Sequence, residues 1–322
     1  MIMSQDDFWV LDGHNDMMLA SRMQRRSFHE RSDKGQIDLP RMREGNFQAG
    51  FFAVWPCFNR GMIKKRTKIW LSVVQDDRNQ MMHIKKIDDF INAKKNGKIG
   101  VVLHFEGAGG IDKRFTMLDY YYKLGLRSLS LTWFDTNKFG TGARMFGSEK
   151  TRGLTELGVN LVKKAQSLGI GVDVSHLNVP SFWDVIENTK KPVYATHSNA
   201  YSVSAHRRNL KDDQIKAIQE THGTIGINFG GIFLNPIKPG KHDSKLGFDI
   251  IKRHIDHIVS ISDINTVAMG SDFDGAIMPD CVKDCIKYPD LFAYLFENGY
   301  SNQDIKKIAH ENWLRVLKAN WK

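Results

Sequence analysis

The feature that most restricts this chain is a repeated one: a short apolar, β-branched run that ends in polar or charged residues. The first such run is Trp9-Val10-Leu11-Asp12-Gly13-His14, and another is Ile99-Gly100-Val101-Val102-Leu103-His104-Phe105-Glu106. Further runs occupy 49–55, 126–132, 169–176, 192–197, 223–229 and 266–272. Near-continuous apolar strands are the mark of parallel strands buried on both faces. Between most of them lie segments of helical period. Ile69, Val73, Val74, Met81, Ile84, Ile87 and Ile91 trace one, and Leu154, Leu157, Leu161, Val162 and Ala165 another. Ser301 is the expected N-cap of a closing helix that carries Ile305, Ile308, Ala309 and Leu317. Eight strands alternating with helices predict an α/β fold, a single (β/α)8 barrel of the TIM type spanning residues 1–322. A doubly wound open sheet is the competing fold, but no glycine-rich nucleotide fingerprint follows the first strand and no linker divides the chain.

The formal net charge of +10 raises the question of nucleic acid. The basic residues, among them Lys85, Lys86, Lys94, Lys95, Lys306 and Lys307, are scattered over helix faces. No basic arm or zinc finger accompanies them, so no nucleic-acid partner is expected. The segment Met1–Asp7 lacks the basic-then-apolar pattern of a secretory leader, and no apolar run reaches the length of a membrane span. Cys57, Cys281 and Cys285 make an odd number, which speaks against a disulfide framework and for free thiols. A cytoplasmic protein without a membrane partner is the expectation.

The chemistry lies in where the metal-capable side chains fall. His14 and Asp16 stand at the end of the first run, Glu106 at the end of the third, His176 and His197 at the ends of the fifth and sixth, and Asp272 at the end of the eighth. In a (β/α)8 barrel all C-terminal strand ends open on one face, where active sites are built. Six donors scattered through the sequence therefore converge. Three imidazoles and three carboxylates suit zinc or a similar divalent ion, and six ligands oversupply one tetrahedral ion, which predicts two. Glu106 could bridge them through its two oxygens. His83, His222, His242 and His310 have no such placement and read as structural or surface residues.

Several segments, in this order, resemble the renal (membrane) dipeptidase family of metallopeptidases. They are Asp12-Gly13-His14-Asn15-Asp16, His104-Phe105-Glu106-Gly107, Asp173-Val174-Ser175-His176, His197-Ser198-Asn199-Ala200-Tyr201-Ser202-Val203, Arg207-Arg208-Asn209-Leu210, Gly270-Ser271-Asp272-Phe273-Asp274-Gly275 and Asn312-Trp313-Leu314-Arg315-Val316. The resemblance implies a dinuclear zinc dipeptidase in which His14, Asp16 and Glu106 hold one Zn2+ and Glu106, His176 and His197 the second. It assigns Arg208 to the substrate carboxylate and Asp272 to proton handling beside the metals. A hydroxide bridging the two ions would attack the peptide carbon, and a D-residue would be tolerated at the C-terminal position. The family also leaves a homodimer open.

One position departs from that pattern. Where the family has a histidine after Leu-Thr, this chain reads Leu131-Thr132-Trp133-Phe134-Asp135. Indole has one N–H donor and cannot accept or carry a proton. Trp133 could line the pocket, with His206 as a substitute donor. Two other readings follow from it: a dinuclear hydrolase of lactones, β-lactams or other cyclic amides, and a metal-bound accessory or maturation protein with little dipeptidase activity. Lys138, Arg144 and Arg152, near the loop after the fourth run, would favour an acidic substrate.

Overall fold

The computed structural model describes residues 8–145, 147–238 and 241–322. The segment Met1–Asp7, discussed above for its lack of a leader, lies outside them. In chain order the strands are β1 (Val10–Asn15), β2 (Phe47–Val54), β3 (Met81–Ile84), β4 (Ile99–Phe105), β5 (Leu126–Ser130), β6 (Gly171–Asp173), β7 (Tyr194–Ala195), β8 (Thr224–Ile227), β9 (Pro236–Lys238), β10 (Lys241–His242) and β11 (Val267–Met269). The main sheet runs β1-β2-β4-β5-β6-β7-β8-β11, with every neighbouring pair parallel. All eight predicted runs are present as strands, and they curve into a nearly closed barrel. Apart from Gln48, the residues of these eight strands are buried, which is why their sequences lack an in–out alternation.

The seam between β1 and β11 is held differently from the rest. In place of a regular ladder there is a single bridge, Asn15 to Phe273. The Asp16 N–H donates to the Phe273 carbonyl at 2.9 Å and the Asp272 N–H to the His14 carbonyl at 3.0 Å. The buried Asp12 carboxylate ties both sides together, accepting from the backbone N–H of His14 and of Ser271, each at 3.0 Å, and from the Tyr288 hydroxyl. Gly226 and Gly270 face each other across β8 and β11. A Cβ on Gly270 would lie 2.8 Å from the Gly226 Cα and collide with the Thr196 carbonyl, so the strands can close here only without side chains.

The segment expected to be one helix through 69–91 is instead interrupted. A helix over Arg60–Val74, capped by Asn59, stops before a short turn, and Gln80 adopts a left-handed conformation (φ 49°). Met81–Ile84 then lies beside β4 as β3, and a second helix covers Asp88–Lys95. Met81 and Ile84 are buried in both arrangements, because a three-residue spacing serves the ends of a four-residue strand as well as a helix. The helix Glu156–Leu168 begins as the sequence suggests, with the Thr155 hydroxyl accepting from the Gly158 N–H. Ser301 is likewise an N-cap, with Asp304 completing a capping box.

The closing helix Asn312–Asn320 plugs the barrel. Trp313 is fully buried, its indole N–H donates to the Met269 carbonyl at 2.8 Å, and its ring lies 5.0 Å from Phe51 and 5.4 Å from Tyr194. Phe51 in turn lies 6.3 Å from His104, and His104 lies 5.4 Å from His14. A column of rings thus fills the barrel from the C-terminal helix to the polar mouth.

Candidate active site

Each of the six donors sits on or just beyond the C-terminal end of a barrel strand. His14 is within β1 and Asp16 follows it; Glu106 follows β4; His176, His197 and Asp272 come two or three residues after β6, β7 and β11. His176 (φ 68°) and Asp272 (φ 64°) both have left-handed backbone, an arrangement that turns the chain sharply as it leaves the strand. His14, Glu106, His176, His197 and Asp272 are buried, and Asp16 is nearly so.

The donors converge around Glu106. Its Oε1 lies 2.8 Å from His176 Nε2 and 3.8 Å from His197 Nε2, while its Oε2 lies 3.8 Å from His14 Nε2. His14 Nε2 is also 3.9 Å from Asp16 Oδ2. The Nε2 atoms of His176 and His197 approach to 2.9 Å. For His197 the tautomer follows from its neighbours. Thr196 Oγ1 gives its proton to Asp173 Oδ2 at 2.8 Å and so accepts from His197 Nδ1 at 2.8 Å, leaving the lone pair on Nε2. Two further networks hold this floor. Asp173 Oδ1 accepts from the N–H groups of Ser175 and Thr196, and His104 is set by Ser128, which also accepts from Tyr194.

The electrostatics of the cluster call for a cation. Burial opposes a charge on His14, but Glu106, Asp16 and Asp272 outweigh it and lift its pKa to about 10. Burial pushes the Glu106 carboxyl well above its ordinary range and, reinforced by Asp16, raises Asp272 to about 6. Burial drives His176 and His197 the other way, towards the neutral form that ligates metal. Both ring nitrogens of His14, Nδ1 of His176 and Oδ1 of Asp16 are buried with no hydrogen-bond partner among the described residues. Donor atoms of His14, Glu106 and His197, and of His14, Asp16 and Asp272, lie within 4.8 Å of one another, a spacing and chemistry that fit a divalent ion of the zinc type.

A cavity of about 440 Å³ opens over this floor. Asp16, Glu106, His176 and Asp272 form its polar base, and Trp55, Trp133, Phe134 and Phe233 stand in its walls. The Trp133 ring lies 5.0 Å from Trp55 and 6.3 Å from His176. Asn228 Nδ2 donates to Asp272 Oδ2 at 3.0 Å, which fixes that carboxylate. Arg208 is buried behind two of the wall residues, its guanidinium 6.0 Å from the Phe134 ring and 5.9 Å from the Phe233 ring. Its Nη2 donates to the His197 carbonyl at 3.1 Å, its Nε has no partner, and no carboxylate pairs with it among the described residues. Burial lowers its pKa to about 10, still fully cationic at neutral pH.

Other candidates fall elsewhere. His206 does not line the cavity; its Nδ1 accepts the Arg208 backbone N–H at 3.1 Å and so shapes the arginine's turn. Lys138 donates to the Gly109 carbonyl and Arg152 to the Asn137 carbonyl, and neither they nor Arg144 line the cavity. The acidic-substrate expectation for these three residues thus finds no support among the described residues. Thr196, Asp173, Asn228, Trp55 and Gly275 were not singled out from the sequence. Thr196 sits beside His197, and Asp173 and Gly275 lie inside the resembling segments, so adjacency to a donor was the available signal.

A parallel barrel with this donor set at its C-terminal mouth has the form of a metal-dependent hydrolase. The sequence profile of the membrane dipeptidases, peptidase family M19, matches residues 3–321. An uncharacterised dipeptidase of Schizosaccharomyces pombe is 31% identical over 335 residues, covering 96% of this chain and 80% of that protein. A protein in the pqqA 5′ region of Klebsiella pneumoniae is 39% identical over 236 residues, covering 72% of this chain and 86% of the relative. The crystal structure of a Rhodobacter sphaeroides metallopeptidase, liganded with a phosphinate mimic of the dipeptide L-Ala-D-Ala, superposes with a TM-score of 0.90 at 32% identity, over 98% of this chain and 99% of that one. The chain belongs to the membrane dipeptidase family, peptidase family M19, and is a metal-dependent dipeptidase, a hydrolase of peptide bonds. Despite the family's name, no helix among the described residues is long and apolar enough to cross a membrane.

Proposed function

We propose that the chain, as one barrel unit, is a dinuclear zinc dipeptidase that accepts a D-residue at the C-terminal position. His14, Asp16 and Glu106 would hold one ion, and Glu106, His176 and His197 the other. The observation that carries this reading is the division of Glu106, with one oxygen turned towards His176 and His197 and the other towards His14. A carboxylate so divided suits a bridge between two cations. When bound, such a pair of ions supplies Lewis acidity and a water nucleophile of lowered pKa.

The chain's own residues then divide the remaining work. Arg208, a buried cation without an ionic partner, takes the substrate's terminal carboxylate in a two-pronged, charge-assisted contact. That anchors the C-terminal residue beside Phe134 and Phe233, with its carboxylate one residue beyond the scissile bond. Asp272, held by Asn228 and raised towards neutrality, accepts the nucleophile's proton at its free Oδ1 and returns it to the leaving amine. Trp133, beside Phe134, and Trp55 exclude water farther along the wall. The C-terminal D-residue is supported by the L-Ala-D-Ala mimic carried by the Rhodobacter sphaeroides relative.

The test is turnover of L-L and L-D dipeptides by the zinc-loaded protein, with zinc per chain measured and Asp272→Asn as control. Hydrolysis lost in the variant while two zinc ions remain bound is the expected result. Turnover that survives Asp272→Asn, or a stoichiometry of one, would refute the assignment.

A further inference from the structure

Above the polar floor the cavity has two aromatic groupings, and they differ in their relation to Arg208. Phe134 and Phe233 flank the guanidinium at 6.0 and 5.9 Å. Trp133 continues the wall 4.6 Å from Phe134 and leads on to Trp55 at 5.0 Å, with Phe58 outside the cavity 6.0 Å behind it; neither tryptophan of this second grouping stacks on the arginine. Resting on the site assignment above, the carboxylate end of a dipeptide lies with the first grouping, so the residue before the scissile bond faces the second.

We propose that this chain selects dipeptides whose N-terminal residue carries an aromatic or other bulky apolar side chain, packed against Trp55 and Trp133. Three observations support it. The wall is built from large apolar faces, and the rim continues in kind, with Met23 at 71% and Ile277 at 76% exposure in spite of their hydrophobicity. No lysine or arginine lines the cavity among the described residues: Arg208 stands behind Phe134 and Phe233 and is given to the terminal carboxylate, and Lys138 and Arg152 are engaged with backbone carbonyls. The ionisable groups that do line it are carboxylates and the neutral His176, and of the carboxylates Asp274 is taken up by Arg26. An acidic side chain packed against this wall would therefore be desolvated without a cationic partner, whereas an aromatic one would exchange water for ring faces. The indole in the position that the family gives to histidine thus serves selection of the N-terminal side chain.

The test compares kcat/KM of the zinc-loaded protein for Phe-Ala, Leu-Ala, Ala-Ala, Lys-Ala and Glu-Ala, each with C-terminal Ala of either hand. Burial of a phenyl group predicts Phe-Ala above Ala-Ala by on the order of tenfold to a hundredfold, with Glu-Ala lowest. In Trp133→Ala and Trp55→Ala the ratio of Phe-Ala to Ala-Ala should collapse towards one, whatever happens to the absolute rates, with circular dichroism and zinc content reporting the fold. Turnover in which Ala-Ala equals or exceeds Phe-Ala would overturn this inference and leave the dipeptidase assignment standing. Lys-Ala as the best substrate would overturn it too, making the wall a cation site. Silence on all five dipeptides, with zinc bound, would overturn the site assignment and this inference together.

Discussion

Substituting Gly275 by alanine tests the centre without touching any of its donors. The glycine backbone lies outside the left-handed region, so alanine fits its dihedral angles. The obstacle is the side chain: a Cβ at this position overlaps both Asp16 Oδ2 and Asp272 Oδ1 and stands 3.3 Å from the Asp16 carboxylate carbon. To regain ordinary van der Waals separation each oxygen must retreat by about 1 Å. Crowding by a single methyl costs roughly 1–3 kcal/mol of stability, which a barrel of this size tolerates. A reacting or ligating group moved by about 1 Å costs on the order of 10²-fold in rate. Gly275→Ala is therefore expected to fold, to lose on the order of 10²-fold in kcat/KM, and to hold the ion at His14 and Asp16 more weakly than the ion at His176 and His197. Steady-state kinetics on one dipeptide, together with zinc content after gel filtration and a thermal melt, read all three effects. Full zinc content with unchanged kcat/KM would refute the reasoning, because Asp16 and Asp272 could not then be the groups at the reaction centre.

Replacing Arg208 with alanine removes a charge-assisted contact to the substrate carboxylate of roughly 1.5–3 kcal/mol and should raise KM by on the order of tenfold to a hundredfold; an unchanged KM would assign the carboxylate elsewhere. Thr196→Val deprives His197 of the acceptor for its Nδ1 proton and should weaken zinc binding by about 10–100-fold, as read by competition with a chelator, while Thr196→Ser should restore it. His254 accepts the Ala200 N–H at Nδ1 and donates to the Leu234 carbonyl from Nε2, so it must stay neutral, and burial holds its pKa near 4. The unfolded chain, with an ordinary histidine pKa, binds the extra proton first, so stability is intact above about pH 6.5 and falls as the pH drops towards 4. The loss from this residue is about 2 kcal/mol at pH 5. Urea midpoints at pH 7 and pH 5 for the protein and for His254→Gln check it, since the variant should show a smaller difference. Finally, thorough chelation should abolish turnover and lower the melting temperature, because the ions bind the folded chain alone; a melt unmoved by chelation would contradict that.

The barrel was legible because its strands are buried on both faces, so each reads as a continuous apolar run such as Ile99–Phe105 with no helix-like period. The donors were legible because a barrel sends every strand end to one face, and His14, Glu106, His197 and Asp272 each close an apolar run. The strand Met81–Ile84 was not, since four residues with apolar ends satisfy either period and only pairing with β4 decides between them. Trp133 apart, the walls of the cavity were equally hidden. Trp55 and Met145 come from two separate loops and Phe233 from the short helix Gly231–Leu234, and nothing in their local sequence distinguishes a pocket wall from an ordinary core contact. Lys138 shows the converse: a basic residue in a substrate-side loop is spent on a backbone carbonyl whose approach depends on the fold of another loop.

The seam between β1 and β11 has a bearing on how the protein is made. Its two edges come from opposite ends of the sequence, and one donor pair, His14 and Asp16, lies on the early edge while Asp272 lies on the late one. During synthesis the N-terminal strand leaves the ribosome with its histidine and carboxylate long before their counterpart exists. Asp12 has neither Ser271 nor Tyr288 to bind until the final third of the chain has emerged. The seam therefore cannot close before β11 is made, and until it does His14 and Asp16 stand apart from Asp272.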